Sequence, residues 1–145
     1  MLNASDITKA VYAAVTADPV FLDLMVERGE VVNENPQMCP WLGIYPRSID
    51  YTPETLGMGP DYWTGTVMVQ FVLQVANLES GAAADDDLEA WIEKLVDKMV
   101  EDTTIKSTVD MINAVRVTYS YTIEDDETMF FKAAIIEMTL EVSTS

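Results

Sequence analysis

The chain has no histidine, one cysteine and only eight basic residues among its 145. Without histidine there is no imidazole base, proton shuttle or histidine metal ligand. A single cysteine, Cys39, excludes an internal disulfide and any metal site built from several cysteines. The eight bases face 25 acids, a formal charge of −17, and so few scattered cations cannot neutralise a phosphate backbone. Composition therefore predicts a soluble acidic domain that neither reads nucleic acid nor acts as an enzyme.

Length and hydropathy predict one domain over residues 1–145, because 49% of the residues are hydrophobic and a chain of this size buries a sizeable core. Residues 1–17 lack the basic start and unbroken apolar run of a signal peptide. No apolar stretch approaches the roughly 20 residues that span a bilayer. We expect synthesis in the cytoplasm, with Cys39 reduced, and no membrane partner.

The N-terminal third predicts two helices followed by a short strand. Asp18-Pro19 is typical of a helix start, which predicts a second helix running to about residue 28 and ending at Gly29. The apolar run at residues 41–45 lies between two prolines and predicts a short strand. The first helix is predicted from apolar residues at helical spacing: Ile7, Ala10, Val11, Ala14 and Val15.

Residues 46–62 predict a long loop, because three prolines and two glycines interrupt every periodic pattern. Loops of this length are uncommon in compact domains and are usually functional or disordered. This one either folds onto its own domain or is ordered by a partner. Trp41, which lies at the start of the preceding strand, is the aromatic residue best placed for an interface. The candidate interface residues are therefore Trp41, Tyr51, Leu56, Met58 and Tyr62.

The remaining sequence predicts a strand, a helix and two further strands. Strict alternation of apolar residues marks residues 63–75 as a strand, and helical spacing of apolar residues marks residues 88–100 as a helix. Alternation returns at residues 115–123 and 136–142. The element order is helix, helix, strand, strand, helix, strand, strand. We expect an α+β fold, with helices packed on one face of a mostly antiparallel sheet of about four strands.

Two acidic clusters are candidate sites, and each has a structural interpretation. The first cluster, Asp85 to Asp87, opens the predicted helix, where capping and the helix dipole favour acids. It lacks the alternate ligand spacing of a calcium loop. The second cluster, Glu124 to Glu127, would form a solvated hairpin tip between the two closing strands. We predict no metal and no cofactor, although a pair of carboxylates distant in sequence could still meet as an acid and a base. The clusters are Asp85, Asp86 and Asp87, and Glu124, Asp125, Asp126 and Glu127.

Four segments together resemble the tail terminator proteins of long-tailed, lambda-type bacteriophages. They are an opening helical segment with a late Asp-Pro, a proline-flanked short strand, the strand that follows the long loop, and an acidic-headed helix leading to two closing strands. The resemblance spans nearly the whole chain and consists of the order of the predicted elements and the kind of residues in each. The first three segments read DITKAVYAAVTADPVFLDLM, CPWLGIYP and GTVMVQFVLQV, and the fourth reads DDDLEAWIEKLVDKMVED.

The resemblance implies a virion protein, assembled in the host cytoplasm, that forms a ring, usually of six copies, at the end of the tail tube. Its partners would be its own copies, the tail tube protein and a head-side connector. The two acidic clusters would line the lumen, where DNA passes as unbound cargo. Three alternatives stay open: another neck protein, such as a head–tail connector or tail completion protein; an acidic adaptor for a basic partner; and a carboxylate enzyme.

Overall fold

A computed structural model describes residues 4–29, 38–53, 63–102, 109, 111–121 and 130–144. Within these ranges the chain forms two α-helices, one 3-10 helix and five strands. The α-helices are α1 (Ala4–Ala17) and α2 (Gly81–Glu101), and the 3-10 helix is Pro19–Phe21. The strands are β1 (Met25–Arg28), β2 (Trp41–Pro53), β3 (Trp63–Asn77), β4 (Met111–Tyr121) and β5 (Phe130–Thr144).

The five strands form one sheet in the order β1-β2-β3-β5-β4. β1 runs parallel to β2, and every other neighbouring pair is antiparallel. The expected α+β class is therefore confirmed. The sheet has five strands and is mixed, where about four mostly antiparallel strands were expected. The described order is one α-helix, three strands, a second α-helix and two strands.

The second helix expected after Asp18 is wrong beyond its first turn. The Asp18 carboxylate caps this turn by accepting a hydrogen bond from the Val20 amide at 3.0 Å. The turn closes after Phe21, and Met25–Arg28 pair with β2 instead. Gly29 ends that strand and not a helix; it has φ +94° and donates its amide to the Ile44 carbonyl at 2.8 Å. Pairing between segments distant in sequence outweighs a local helix start here.

The loop expected at residues 46–62 is wrong for its first eight residues, which continue β2 to Pro53. Residues 48–53 pair with β3, and the register shifts between Pro46 and Ser48. β1 pairs with β2 only as far as Ile44. Pro46 therefore lies where β2 has no described strand on its outer side, a place where the missing proline amide is tolerated. Residues 54–62 lie outside the described part of the chain.

Both helices pack on the same face of the sheet, as expected. Alternate residues of β2, β3 and β5 form a single core with the apolar stripes of α1 and α2. The apolar stripe expected over residues 88–100 is buried at four positions, Trp91 and Val96 pack against the core, and Val100 is 52% exposed at the last turn. Neither described helix combines the length and the hydrophobicity that a membrane-spanning segment needs. The buried stripe residues are Leu88, Ile92, Leu95 and Met99.

Candidate functional site

The structure describes two of the five expected interface residues, both in β2. Tyr51 is 37% exposed and pairs with Gly65, which places it on the helix-covered face of the sheet. Trp41 pairs with Gln74 on the opposite face and is fully buried. Trp41 therefore packs inside the chain and offers no exposed surface to a partner. Leu56, Met58 and Tyr62 lie outside the described residues.

Asp85, Asp86 and Asp87 do not open a helix, which corrects the capping interpretation. α2 begins at Gly81, and Ser80 caps it by accepting a hydrogen bond from the Ala83 amide at 3.0 Å. The three acids therefore lie one turn further on, where the helix dipole has faded. Asp85 forms an ion pair with Lys132 of β5 at 2.7 Å, and Asp87 accepts a hydrogen bond from the Asn77 side chain at 2.8 Å.

These contacts attach the N-terminal part of α2 to the ends of β3 and β5. Glu89 adds a third contact, accepting a hydrogen bond from the Tyr119 hydroxyl of β4. Asp86 is exposed, and no contact to it appears among the described residues. Asp85 and Asp87 thus have structural partners, while Asp86 faces solvent. The expected second cluster, Glu124 to Glu127, falls in a part of the chain that the structure does not describe.

The solvent side of α2 is a continuous acidic stripe. Asp86, Glu93, Asp97 and Glu101 are all exposed and recur at intervals of seven or four residues, which places them on one helical face. The two lysines of α2 contact residues outside this acidic row. Lys94 lies 4.5 Å from the centre of the Trp91 ring, and Lys98 contacts Asp18 and Asp102. We call this surface the α2 acidic stripe.

Lys98 bridges two carboxylates at the end of α2, 3.0 Å from Asp18 and 2.8 Å from Asp102. A hydrogen bond from the Val20 amide lowers the pKa of Asp18, and the contact with Lys98 lowers it further. The hydrogen bond to Asp102 raises the pKa of Lys98, and Asp18 adds to the effect. Both shifts favour the ionised forms, whereas a general acid or base needs a pKa near the working pH. This triad is a structural ion pair network.

A shallow groove of about 460 Å³ lies beside this triad, between the 3-10 helix and the last turns of α2. Val20 and Phe21 supply its apolar part, and Phe21 stacks on Trp91 with 6.3 Å between ring centres. The groove is open to solvent, and its carboxylates belong to the triad or to the α2 acidic stripe. Across the described ranges, no three acids or cysteines are arranged to hold a metal ion. We therefore find no catalytic constellation in this groove.

The face of the sheet opposite the helices carries a polar row across four strands. Tyr45, Gln70, Glu137 and Arg116 are successive Cα partners from β2 to β4. Arg47 donates a hydrogen bond to the side-chain amide oxygen of Gln70 at 3.2 Å. Burial raises the pKa of Tyr45, with Arg47 opposing and Glu137 adding to the shift. Gln70 is only 5% exposed, Tyr45 and Glu137 are half-buried, and Arg116 is exposed, so the row opens to solvent at β4.

The two margins of the sheet differ from each other, and sequence analysis missed both. On one side, β4 has β5 as its only strand neighbour among the described residues, and Val115 and Tyr119 are 40% and 45% exposed. On the other side, β2 extends nine residues beyond its pairing with β1, from Tyr45 to Pro53. Alternation at residues 48–52 was the available signal for this second margin. Exposed strand edges are sites where another strand can add.

A comparison with protein-family models and with curated protein sequences finds no match for this chain.

Proposed function

We propose that the chain is a structural protein of a bacteriophage tail. Six copies form a ring that caps the tail tube, ends its polymerisation and provides the surface to which the head attaches. In this role the chain contacts its own copies, the tube protein and a head-side connector. It resides in the virion, holds no cofactor and catalyses no reaction.

The observation that carries this proposal is that the two margins of the sheet present different surfaces, β4 on one side and the β2 extension, Tyr45 to Pro53, on the other. A closed ring of identical copies needs a head-to-tail interface, in which one surface of each copy meets a different surface of the next. β4 on one side and the β2 extension on the other are two such surfaces, and they lie at opposite ends of one sheet. The part of the expected order that the structure retains, from β2 through β3 and α2 to β4 and β5, supports the same assignment by resemblance.

The charge distribution supports the expected lumen for DNA. Six copies at −17 each carry −102 in total, and a channel lined by one sign of charge repels phosphates and prevents sticking. Among the expected lumen residues that the structure describes, Asp86 is exposed and has no described contact. We propose that the α2 acidic stripe, which continues from Asp86 to Glu101, supplies much of this charge. Other neck proteins with a DNA channel would use the same features.

The α2 acidic stripe also favours a second candidate function, an adaptor for a basic protein. Both lysines of the helix are held away from the stripe, so a cationic partner would meet little local repulsion. An adaptor of this kind would act as a monomer or dimer, and its binding would weaken steeply with added salt.

Light scattering on the purified chain separates the two functions. A ring of six has six times the monomer mass of 16.1 kDa, whereas the adaptor has one or two times that mass. A ring mass supports the tail function. A monomer or dimer that binds polylysine in low salt, and loses it in high salt, favours the adaptor.

A further inference from the structure

We propose that copies of this chain join edge to edge, with β4 of one copy adding antiparallel to the β2 extension of the next and Arg116 lying opposite Asp50. The inference rests on the proposed ring, and it names the surfaces and the register that would close it.

Strand direction favours this pairing. β2, β3, β5 and β4 alternate in direction across the sheet, so β4 runs opposite to β2. Copies related by rotation about a ring axis keep their orientation, which brings β4 of one copy beside β2 of its neighbour in the antiparallel sense. The helix-covered faces of both copies then lie on the same side. The two sheets can therefore continue as one.

The residues along the two margins limit where the strands can meet. Prolines at positions 46 and 53 lack amide donors and bracket the β2 extension, so the amides available along the seam come from alternate residues of Arg47–Thr52, and the others face β3. β4 contains no proline, and Arg116 is its one charged residue. Natural edge strands usually carry prolines or several charges as protection against pairing. β4 lacks this protection, as expected of a strand that is covered in an assembly.

Side-chain chemistry selects one register. Asp50 and Arg116 both lie on the face without helices, because their Cα partners within the sheet, Thr66 and Glu137, lie on that face. In the proposed register the Arg116 guanidinium faces the Asp50 carboxylate across the seam. The same register brings apolar residues together on the helix-covered face and hydroxyl residues together on the other. These further pairs are Val117 with Ile49, Val115 with Tyr51, and Thr118 with Ser48. Opposite charges and aromatic or β-branched pairs both stabilise antiparallel strands.

A two-fold pairing of β4 with β4 of a second copy is the main competitor. Its longest overlap would place Arg116 directly opposite Arg116, a like-charge pair that disfavours it. It would also leave the β2 extension uncovered and end at a dimer. The head-to-tail seam covers both margins and pairs the arginine with a carboxylate.

A charge-swap experiment tests the seam. Asp50→Arg and Arg116→Asp are purified separately, and their masses are followed by sedimentation velocity over a concentration series. Each variant alone sets like charges opposite each other at every seam, so each should assemble at least about tenfold more weakly than the wild-type chain. Mixed in equal amounts, the variants alternate around the ring and restore opposite charges at every seam. The mixture, and the double variant, should return to the wild-type mass.

Rescue by the swap cannot arise within one copy. Asp50 and Arg116 of one chain are separated by β3 and β5, three strand spacings or about 14 Å. Lys9→Asp and Asp23→Arg are matched controls, because they make the same charge changes at exposed positions of α1 and of the turn before β1. The controls should assemble as the wild-type chain does. Far-UV circular dichroism checks that every variant is folded.

Three results would overturn the seam. If the wild-type chain forms a ring and both single variants form it equally well, the seam is wrong while the ring function stands. If the variants fail and the mixture does not recover, Arg116 and Asp50 do not meet between copies. If the wild-type chain stays a monomer up to its solubility limit, then copies do not join without another component, and both the seam and the self-assembling ring fail.

Discussion

Shortening Leu95 to alanine tests whether the apolar stripe of α2 holds this helix on the sheet. Leu95 is 2% exposed and belongs to the core shared by α2 and the sheet. The change removes three carbon atoms at about 0.8 kcal/mol each, and the cavity left behind adds to this loss. We expect the free energy of unfolding to fall by about 3 kcal/mol. For a chain of this size, that corresponds to a Tm roughly 10 °C lower.

Val100→Ala is the matched control, because Val100 continues the same sequence stripe but is 52% exposed. Its lost burial is small, and the higher helix propensity of alanine offsets part of it, so we expect a change within about 0.5 kcal/mol. Urea unfolding followed by circular dichroism measures both variants. Equal losses at the two positions would refute the packing of α2 described here.

Three further predictions concern single residues. Ser80→Ala should destabilise the chain by about 1 kcal/mol in urea unfolding, because Ser80 caps α2. Asp86→Asn should change the free energy of unfolding by less than about 0.5 kcal/mol. A larger loss for Asp86→Asn than for Ser80→Ala would show that the acids cap the helix. Gly29→Ala should cost about 1–2 kcal/mol in the same assay through its positive φ, and Gly29→Asn should cost less; equal costs would contradict this. Asp18 has a lowered pKa, so its stabilisation is present above the unfolded value of 3.8 and is lost as the pH falls through the lowered folded value. Lys98→Met should therefore flatten the fall of Tm on acidification, and an unchanged slope would contradict the ion pair.

The strongly periodic segments were predictable from sequence. The strand expected at residues 63–75 is β3, and the helix expected at 88–100 lies within α2, because each has a long stripe that matches one periodicity. The two closing strands pair antiparallel as β4 and β5, as expected. Local patterns of this length outweigh the ambiguity of any single residue.

The segments that were wrong depend on partners distant in sequence. Residues 25–28 are too few to reveal a strand, and they form one only beside the start of β2. The prolines at 46 and 53 suggested a loop, although Ile49 and Tyr51 alternate with polar residues as a strand does. A proline interrupts a strand only where a neighbouring strand requires its amide as a hydrogen-bond donor. No described strand lies on the outer side of β2 beyond Ile44, so no such donor is required there.

The candidate surfaces were the least predictable part. Which strands form the margins follows from the order β1-β2-β3-β5-β4, and strand order is a property of long-range pairing. The flanking prolines favoured an interface position for Trp41, but this side chain is fully buried on the face of the sheet opposite the helices. The acids at 85–87 favoured a helix start at that point, but the cap is Ser80, five residues before Asp85.

Electron microscopy of the purified oligomer tests the central claim most directly. The account predicts end-on views of a closed ring with a central opening and rotational symmetry, in which every copy has the same orientation along the axis. A field of separate monomers, or of two-fold dimers without an opening, would contradict it.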